Sequence, residues 1–182
     1  MTKIRCPSPV PFWDTIVSPV GRLLLSSDGV GLTGLHFQAG PNPQLVRSAR
    51  KKPCGLLWVA AAQLAEYFDG RRRTFDLPLA WQGTDFQQQV WRALTEIPFG
   101  RTLSYAELAS VIGRPRTSRA VGLANGANPI PIVVPCHRVI GSNGSLTGFG
   151  GGLSIKRWLL AHEGAASSDR TIEMFRAGGF VR

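Results

Sequence analysis

The stretch Ile130-Pro131-Ile132-Val133-Val134-Pro135-Cys136-His137-Arg138 leaves the chain few conformations. Two prolines without amide hydrogens exclude a helix interior and interrupt a strand ladder, and each drives the residue before it toward extended geometry. The apolar run calls for burial, so the segment reads as a core strand whose pairing stops near Pro135 and delivers Cys136 at its end. A free thiol has a pKa of about 8.5, so chemistry at Cys136 requires a neighbour that takes its proton. His137 is the nearest base, yet consecutive side chains of an extended segment point to opposite faces, and a relay between the two calls for a water. A buried structural cysteine at the end of a strand fits the same residues.

A chain of 182 residues holds one full domain, or a small one beside a larger one, and buries a core without staples. Its three cysteines, Cys6, Cys54 and Cys136, are an odd number without CxxC spacing, which argues against a disulfide framework and for a reducing compartment, the cytoplasm. Met1 to Trp13 lacks the apolar core of an export signal, and no apolar run approaches a membrane span. The net charge of +10, from 21 Lys and Arg against 11 Asp and Glu, suits a polyanionic partner or a merely solvated basic surface. Location favours the partner: from Ile97 to His162, Arg101, Arg114, Arg116, Arg119, Arg138, Lys156 and Arg157 face Glu107 as the one acid.

Residues 1–12 are proline-rich and expected to be poorly ordered. Over 13–83, Thr15-Ile16-Val17, Arg22 to Ser26 and Leu32 to Phe37 are apolar runs broken by Ser18-Pro19-Val20-Gly21 and Asp28-Gly29, the pattern of an antiparallel meander. Leu57 to Phe68 has helical spacing, Arg71-Arg72-Arg73 stays unassigned, and Thr74 to Trp81 reads as one more strand before a boundary at Gly83. Residues 84–164 turn helical. Thr84-Asp85-Phe86-Gln87 and Ser104-Tyr105-Ala106-Glu107 are capping boxes, and Pro115 starts a further helix running to about Asn125, with Arg116 and Arg119 on one face and Val121 and Ala124 inward. Helix, tight turn, helix over Ser104 to Asn125 suits plain packing and suits DNA binding, and the charge favours the second. Gly141 to Gly152 is a glycine-rich mobile loop, a last helix spans about Ser154 to His162, and 165–182 form a tail.

Ser104-Tyr105, Arg119-Ala120-Val121-Gly122, Asn128-Pro129, Pro135-Cys136-His137-Arg138-Val139 and Leu159-Leu160-Ala161-His162-Glu163-Gly164 together resemble the O6-alkylguanine-DNA alkyltransferases, over about Phe86 to Gly164. The N-terminal part resembles that family loosely, near Ser18-Pro19-Val20-Gly21. The resemblance implies an α/β N-terminal domain, a small antiparallel sheet plus helix, followed by a mainly helical C-terminal domain with a DNA-binding helix-turn-helix. It implies single-turnover transfer of an alkyl group from O6-alkylguanine, and by extension O4-alkylthymine, in double-stranded DNA, with no cofactor, metal, membrane or obligate protein partner.

Carried onto this sequence, the resemblance makes Cys136 the alkyl acceptor, with His137 acting through a water, Glu163 orienting the histidine and Asn128 ordering the turn before it. Arg119 fills the stack left by a flipped nucleotide, and Tyr105 pushes the target phosphate and assists protonation of the departing base. Arg114, Ser142 and Gln87 are candidates for phosphate contact. Pro131, Phe149 and Gly150 line the alkyl pocket, where many family members carry tyrosine in place of Phe149 and the human-type enzyme has serine in place of Gly150. Cys6, His36 and Cys54 are too scattered to argue for a metal. The competing readings are a cysteine hydrolase using Cys136, His137 and Glu163, and a non-catalytic damage-binding protein.

Overall fold

Short apolar runs joined by tight turns pair into a sheet because each turn closes its own backbone groups. The computed structural model describes residues 12–37, 50–51 and 55–165. Strand β1 (Phe12–Ser18) and strand β2 (Gly21–Ser27) pair antiparallel from Phe12 opposite Ser27 to Ser18 opposite Gly21, and the Ser18 hydroxyl donates to the Gly21 carbonyl at 2.6 Å. Strand β3 (Leu32–Phe37) pairs antiparallel with β2, across a turn in which Asp28 Oδ1 accepts from the amides of Val30 and Gly31, both at 2.8 Å. A two-residue strand β4 (Arg50–Lys51) runs parallel to β1 and gives the order β3-β2-β1-β4. Helix α1 (Gly55–Phe68) lies on this sheet and buries Leu56, Leu57, Ala60, Leu64 and Tyr67.

Thr74 to Trp81 is not a strand. Leu32 alone bridges to it, with its amide on the Pro78 carbonyl at 2.8 Å and its carbonyl on the Ala80 amide at 2.9 Å. Pro78 has no amide to extend the ladder, and the buried Gln63 side chain instead clamps both backbone groups of Asp76 at 2.9 Å. The expected disorder of 1–12 lies outside the described residues, apart from Phe12, which opens β1.

Met1–Gln82 and Gly83–Arg182 are two compact units. In the second, both capping boxes form: Thr84 and Gln87 open α2 (Asp85–Thr95), and Ser104 and Glu107 open α3 (Tyr105–Val111). The next helix, α4, begins at Ser118 rather than Pro115 and runs to Gly126. Residues 114–117 form a turn instead, closed by the Thr117 amide and hydroxyl on the Arg114 carbonyl at 3.0 and 2.8 Å. Arg116 therefore precedes the helix that carries Arg119 and does not share a helical face with it, while Val121 and Ala124 point inward as expected.

The fully buried Trp91 of α2 donates its indole N–H to the Ala124 carbonyl of α4 at 2.8 Å, and Gln89 donates to the Ile112 carbonyl beyond α3 at 3.1 Å. Strand β5 (Leu103–Ser104) pairs in parallel with β6 (Val139–Ile140), which places the first turn of α3 beside the chain that leaves Cys136. Helix α5 (Leu153–His162) closes the unit. Trp91→Phe removes the indole donor and leaves the Ala124 carbonyl unpaired in the core; a loss of about 2 kcal/mol is expected in urea unfolding, with both α2 and α4 destabilised.

Candidate active site and nucleic-acid interface

Pro135 sits at φ −81° and ψ 63°, the centre of an inverse γ-turn in which the Cys136 amide bonds the Val134 carbonyl at 2.8 Å. The expected core strand over Ile130–Val134 is instead a turn, closed by the Val134 amide on the Ile130 carbonyl at 2.9 Å, and after Pro135 the chain enters a single 3-10 turn, Cys136–Arg138. Side chains of a 3-10 turn diverge by about 120°, so Cys136, His137 and Arg138 leave in different directions, all into the interior. Upstream, Ile132 holds φ 74°, an uncommon conformation for a β-branched residue, and is completely buried. Asn128 ties this segment down: its Nδ2 donates to the Val134 carbonyl at 2.8 Å and its Oδ1 accepts from the Ile130 amide at 3.0 Å. Asn125 of α4 reaches the Cys136 carbonyl at 3.4 Å.

His137 Nε2 lies 2.8 Å from Glu163 Oε1, with both side chains fully buried. Arg138 grips the same carboxylate with two N–H groups, Nε to Oε2 at 2.8 Å and Nη2 to Oε1 at 2.9 Å, while its Nη1 donates to the Ile97 carbonyl. The Gly100 amide adds a bond to Oε2 at 3.2 Å, and a Cβ at Gly100 would lie 2.8 Å from the Glu163 carbonyl oxygen, so only glycine fits there. Burial opposes ionisation of Glu163, but the His137 and Arg138 contacts outweigh it and hold the carboxyl well below the usual range. Burial pushes the His137 pKa down, so the imidazole is neutral and Arg138 is the counter-charge of Glu163. A carboxylate only accepts, hence His137 Nε2 carries the proton and Nδ1 the lone pair; Nδ1 is buried and bonded to no protein group.

Burial pushes the Cys136 thiol up to about 11, against the opposing pull of the Asn128 side chain and the Lys156 charge. Lys156 is itself completely buried, donates to the carbonyls of Val139 at 2.6 Å and Thr147 at 2.8 Å, and has its pKa pushed down to about 8 by desolvation. Phe149 is half-buried, with its ring centroid 6.4 Å from that of His137, and Pro131 is buried. Gly150 is exposed, with open space where a side chain would project. Tyr105 is half-buried at the start of α3, and its hydroxyl accepts from the Thr147 hydroxyl at 3.2 Å.

The expected basic surface is smaller than the sequence indicates. Arg138, 5% exposed, and Lys156 point inward and serve the site, leaving Arg114, Arg116, Arg119 and Arg157 exposed and Arg101 half-buried. Arg114 lies over the Phe86 ring at 5.6 Å and bonds Gln89 at 3.3 Å. Ser142 is exposed in the glycine-rich loop, and the Gln87 side-chain oxygen is committed to the Thr84 amide at 2.9 Å. Elsewhere, Arg71 and Arg72 pair with Asp69 at 2.7 Å and Glu66 at 2.6 Å, and His162 stacks on Trp158 at 5.0 Å. Cys6 and Cys54 lie outside the described residues.

Two residues that organise the site escape sequence reasoning. Arg138 and Lys156 counted as surface charge, although a lysine in the helix Leu153–His162, between Ile155 and the Trp158-Leu159-Leu160 run, carried a hint of burial.

A buried cysteine followed in sequence by a neutral, carboxylate-bound histidine, on a helical unit with exposed arginines, suits cysteine-based chemistry on a polyanionic substrate. Residues 85–165 match the family model of the 6-O-methylguanine DNA methyltransferase DNA binding domain, and residues 12–81 that of its ribonuclease-like domain. A methylated-DNA-protein-cysteine methyltransferase of Methanosarcina barkeri is 49% identical over 152 residues, covering 84% of this chain and 96% of that protein. One of the same name from Mycobacterium tuberculosis is 49% identical over 160 residues, covering 87% and 96%. The crystal structure of the Mycobacterium tuberculosis O6-methylguanine methyltransferase matches with a TM-score of 0.79 at 48% identity, over 90% of this chain and 99% of that one. The Mycobacterium tuberculosis OGT structure in complex with DNA gives 0.76 at 48% identity, over 89% and 99%. The chain belongs to the 6-O-methylguanine DNA methyltransferase family.

Because the folded pKa of Glu163 is depressed, the native carboxyl binds fewer protons than the unfolded one. Its contribution is full above the unfolded pKa of about 4.3 and is lost as pH falls below it toward the folded value. Urea midpoints should therefore drop steeply on acidification through this window. Glu163→Gln should lose roughly 3 kcal/mol at neutral pH, by leaving Arg138 buried and unpaired, and show a flatter acid limb.

Proposed function

We infer that this chain repairs DNA by moving an alkyl group from guanine O6, and by extension thymine O4, irreversibly to its own Cys136. The observation that carries this reading is the buried His137 Nδ1 lone pair, set by the Nε2 contact to Glu163 at 2.8 Å, one residue from the thiol. In the free protein the thiol is protonated, its pKa pushed up to about 11. Nδ1 takes that proton through a water as sulfur attacks, and the imidazolium formed is held by Glu163. The S–C bond forms as the C–O bond breaks, and the electron pair stays on the base, which takes a proton from Tyr105. The product is a thioether, which His137 cannot hydrolyse, so the protein acts once.

The reactive carbon lies inside the duplex, and the lesion must be flipped out at a cost of a few kcal/mol before in-line attack. Arg119, exposed on α4, fills the vacated stack, and the flanking small residues Ala120 and Gly122 let that helix approach a minor groove. Helices α3 and α4 thus act as a helix-turn-helix, with Arg114, Ser142 and Gln87 on phosphates. Asn128 keeps the Cys136 segment in place, and Pro131, Phe149 and Gly150 bound the alkyl pocket, whose open side at Gly150 suits groups larger than methyl. Residues 13–83 and 84–164 work as separate domains, with 165–182 as a tail, in the cytoplasm. No helix among the described residues is long and apolar enough to cross a membrane.

Mass spectrometry after incubation with a methylguanine-containing duplex should show a single methyl adduct on Cys136, with product limited to one per protein molecule. Many products per molecule would mean a hydrolase instead. Cys136→Ser should abolish transfer while DNA binding persists, because the exposed arginines supply affinity.

Arg119→Ala should slow transfer from duplex by about 100-fold, a few kcal/mol of flipping no longer offset. Its reaction with free benzylguanine should stay near wild type, since a free base needs no flipping; equal losses on both substrates would remove the intercalation model.

A further inference from the structure

The Tyr105 hydroxyl accepts a hydrogen bond rather than making one: the Thr147 hydroxyl donates to it at 3.2 Å. A phenol that accepts keeps its own O–H free to donate outward, and the bond it accepts offsets the charge left on oxygen once that proton has gone. The ring is held as well, since a Cβ on Gly122 of α4 would lie 3.7 Å from two of its carbons, so backbone packs against one side of it. Thr147 belongs to the glycine-rich loop, where Gly144 and Gly148 both have positive φ, and such a segment has no intrinsic reason to hold a hydroxyl still. Lys156 supplies the reason: from a completely buried position its Nζ bonds the Thr147 carbonyl at 2.8 Å and the Val139 carbonyl at 2.6 Å. The loop is thereby fastened to the strand that leaves Cys136, at the residue whose side chain meets Tyr105.

We propose that Thr147 is a positioning residue for alkyl transfer: anchored by Lys156, its hydroxyl orients Tyr105 as the proton donor to the departing base. The inference rests on the reading of Tyr105 given above and assigns the group through which the loop sets its hydroxyl. Atoms balance without a further reactant. The C–O bond breaks with its electron pair on the base, the phenol proton passes to the base, and the phenolate keeps the Thr147 hydrogen bond until water reprotonates it.

Single-turnover transfer from a methylguanine-containing duplex to the full chain, followed from sub-saturating to saturating DNA, separates the rate of the step from affinity. Thr147→Val keeps the shape and removes the hydroxyl. It should lower the saturating rate about tenfold, a part of what a general acid supplies, with half-saturating DNA changed by less than about twofold. Thr147→Ser restores the donor and should recover most of the rate. In a Tyr105→Phe background, Thr147→Val should cost nothing more, because the group it acts through is gone. A wild-type rate in Thr147→Val, an equal loss in Thr147→Ser, or losses that multiply in the double variant would each overturn the proposal. An unimpaired Tyr105→Phe would overturn it too while leaving transfer to Cys136 intact, whereas a wild type without an adduct on Cys136 would defeat the functional reading itself.

Discussion

The carboxylate of Glu163 accepts from His137 Nε2, from Nε and Nη2 of Arg138 and from the Gly100 amide, and so gathers the end of α5, the 3-10 turn and the loop after α2 at one point. Two opposite charges buried together cost more in desolvation than a simple pair returns, unless every remaining donor and acceptor is matched. Here each guanidinium nitrogen has an acceptor: Nε and Nη2 bond the carboxylate, Nη1 donates to the Ile97 carbonyl, and the guanidinium carbon lies 5.9 Å from the Phe99 ring centre. What this arrangement yields is direction. With Arg138 neutralising the carboxylate, His137 stays neutral and its tautomer is decided, so the lone pair is at Nδ1 before any substrate arrives.

Legibility in the sequence followed how local the physics was. Both capping boxes could be read because their partners are three residues apart, and the strands β1 to β3 because their turns carry glycine, proline and aspartate. The α4 start was misplaced because Pro115 is as good at opening a turn as at opening a helix, and the Thr117 hydroxyl on the Arg114 carbonyl decides for the turn. Likewise Thr74 to Trp81 has the composition of a strand, but its partner, Leu32, is distant in sequence and meets it at a single bridge.

The catalytic neighbourhood was legible in part. Cys136, His137 and Glu163 could be named through a resemblance, but nothing in the spacing shows that Arg138 completes their cluster from the interior, because a charged residue in isolation reads as surface. The same assumption hid Lys156. Once both are inside, the exposed charge of this unit rests on fewer arginines than the sequence count indicates, among them Arg114, Arg116 and Arg119 on or beside α4 and Arg157 on α5.

Burial of the nucleophile looks at first like a defect, since a pKa pushed up to about 11 leaves little thiolate at neutral pH. For a protein whose cysteine is used once, that is a sensible resting state. A thiol kept protonated in an apolar pocket is a poor target for oxidants and stray electrophiles, which would otherwise consume the molecule before it meets its lesion. In the function proposed above, reactivity is then conditional on geometry: a base delivered against Cys136 places the alkyl carbon in line with sulfur while Nδ1 of His137, buried and without a protein partner, accepts the proton through a water. The strained Ile132, the inverse γ-turn at Pro135 and the Asn128 clamp fix the segment that carries Cys136, and under that proposal selectivity comes from where the thiol is held rather than from how reactive it is.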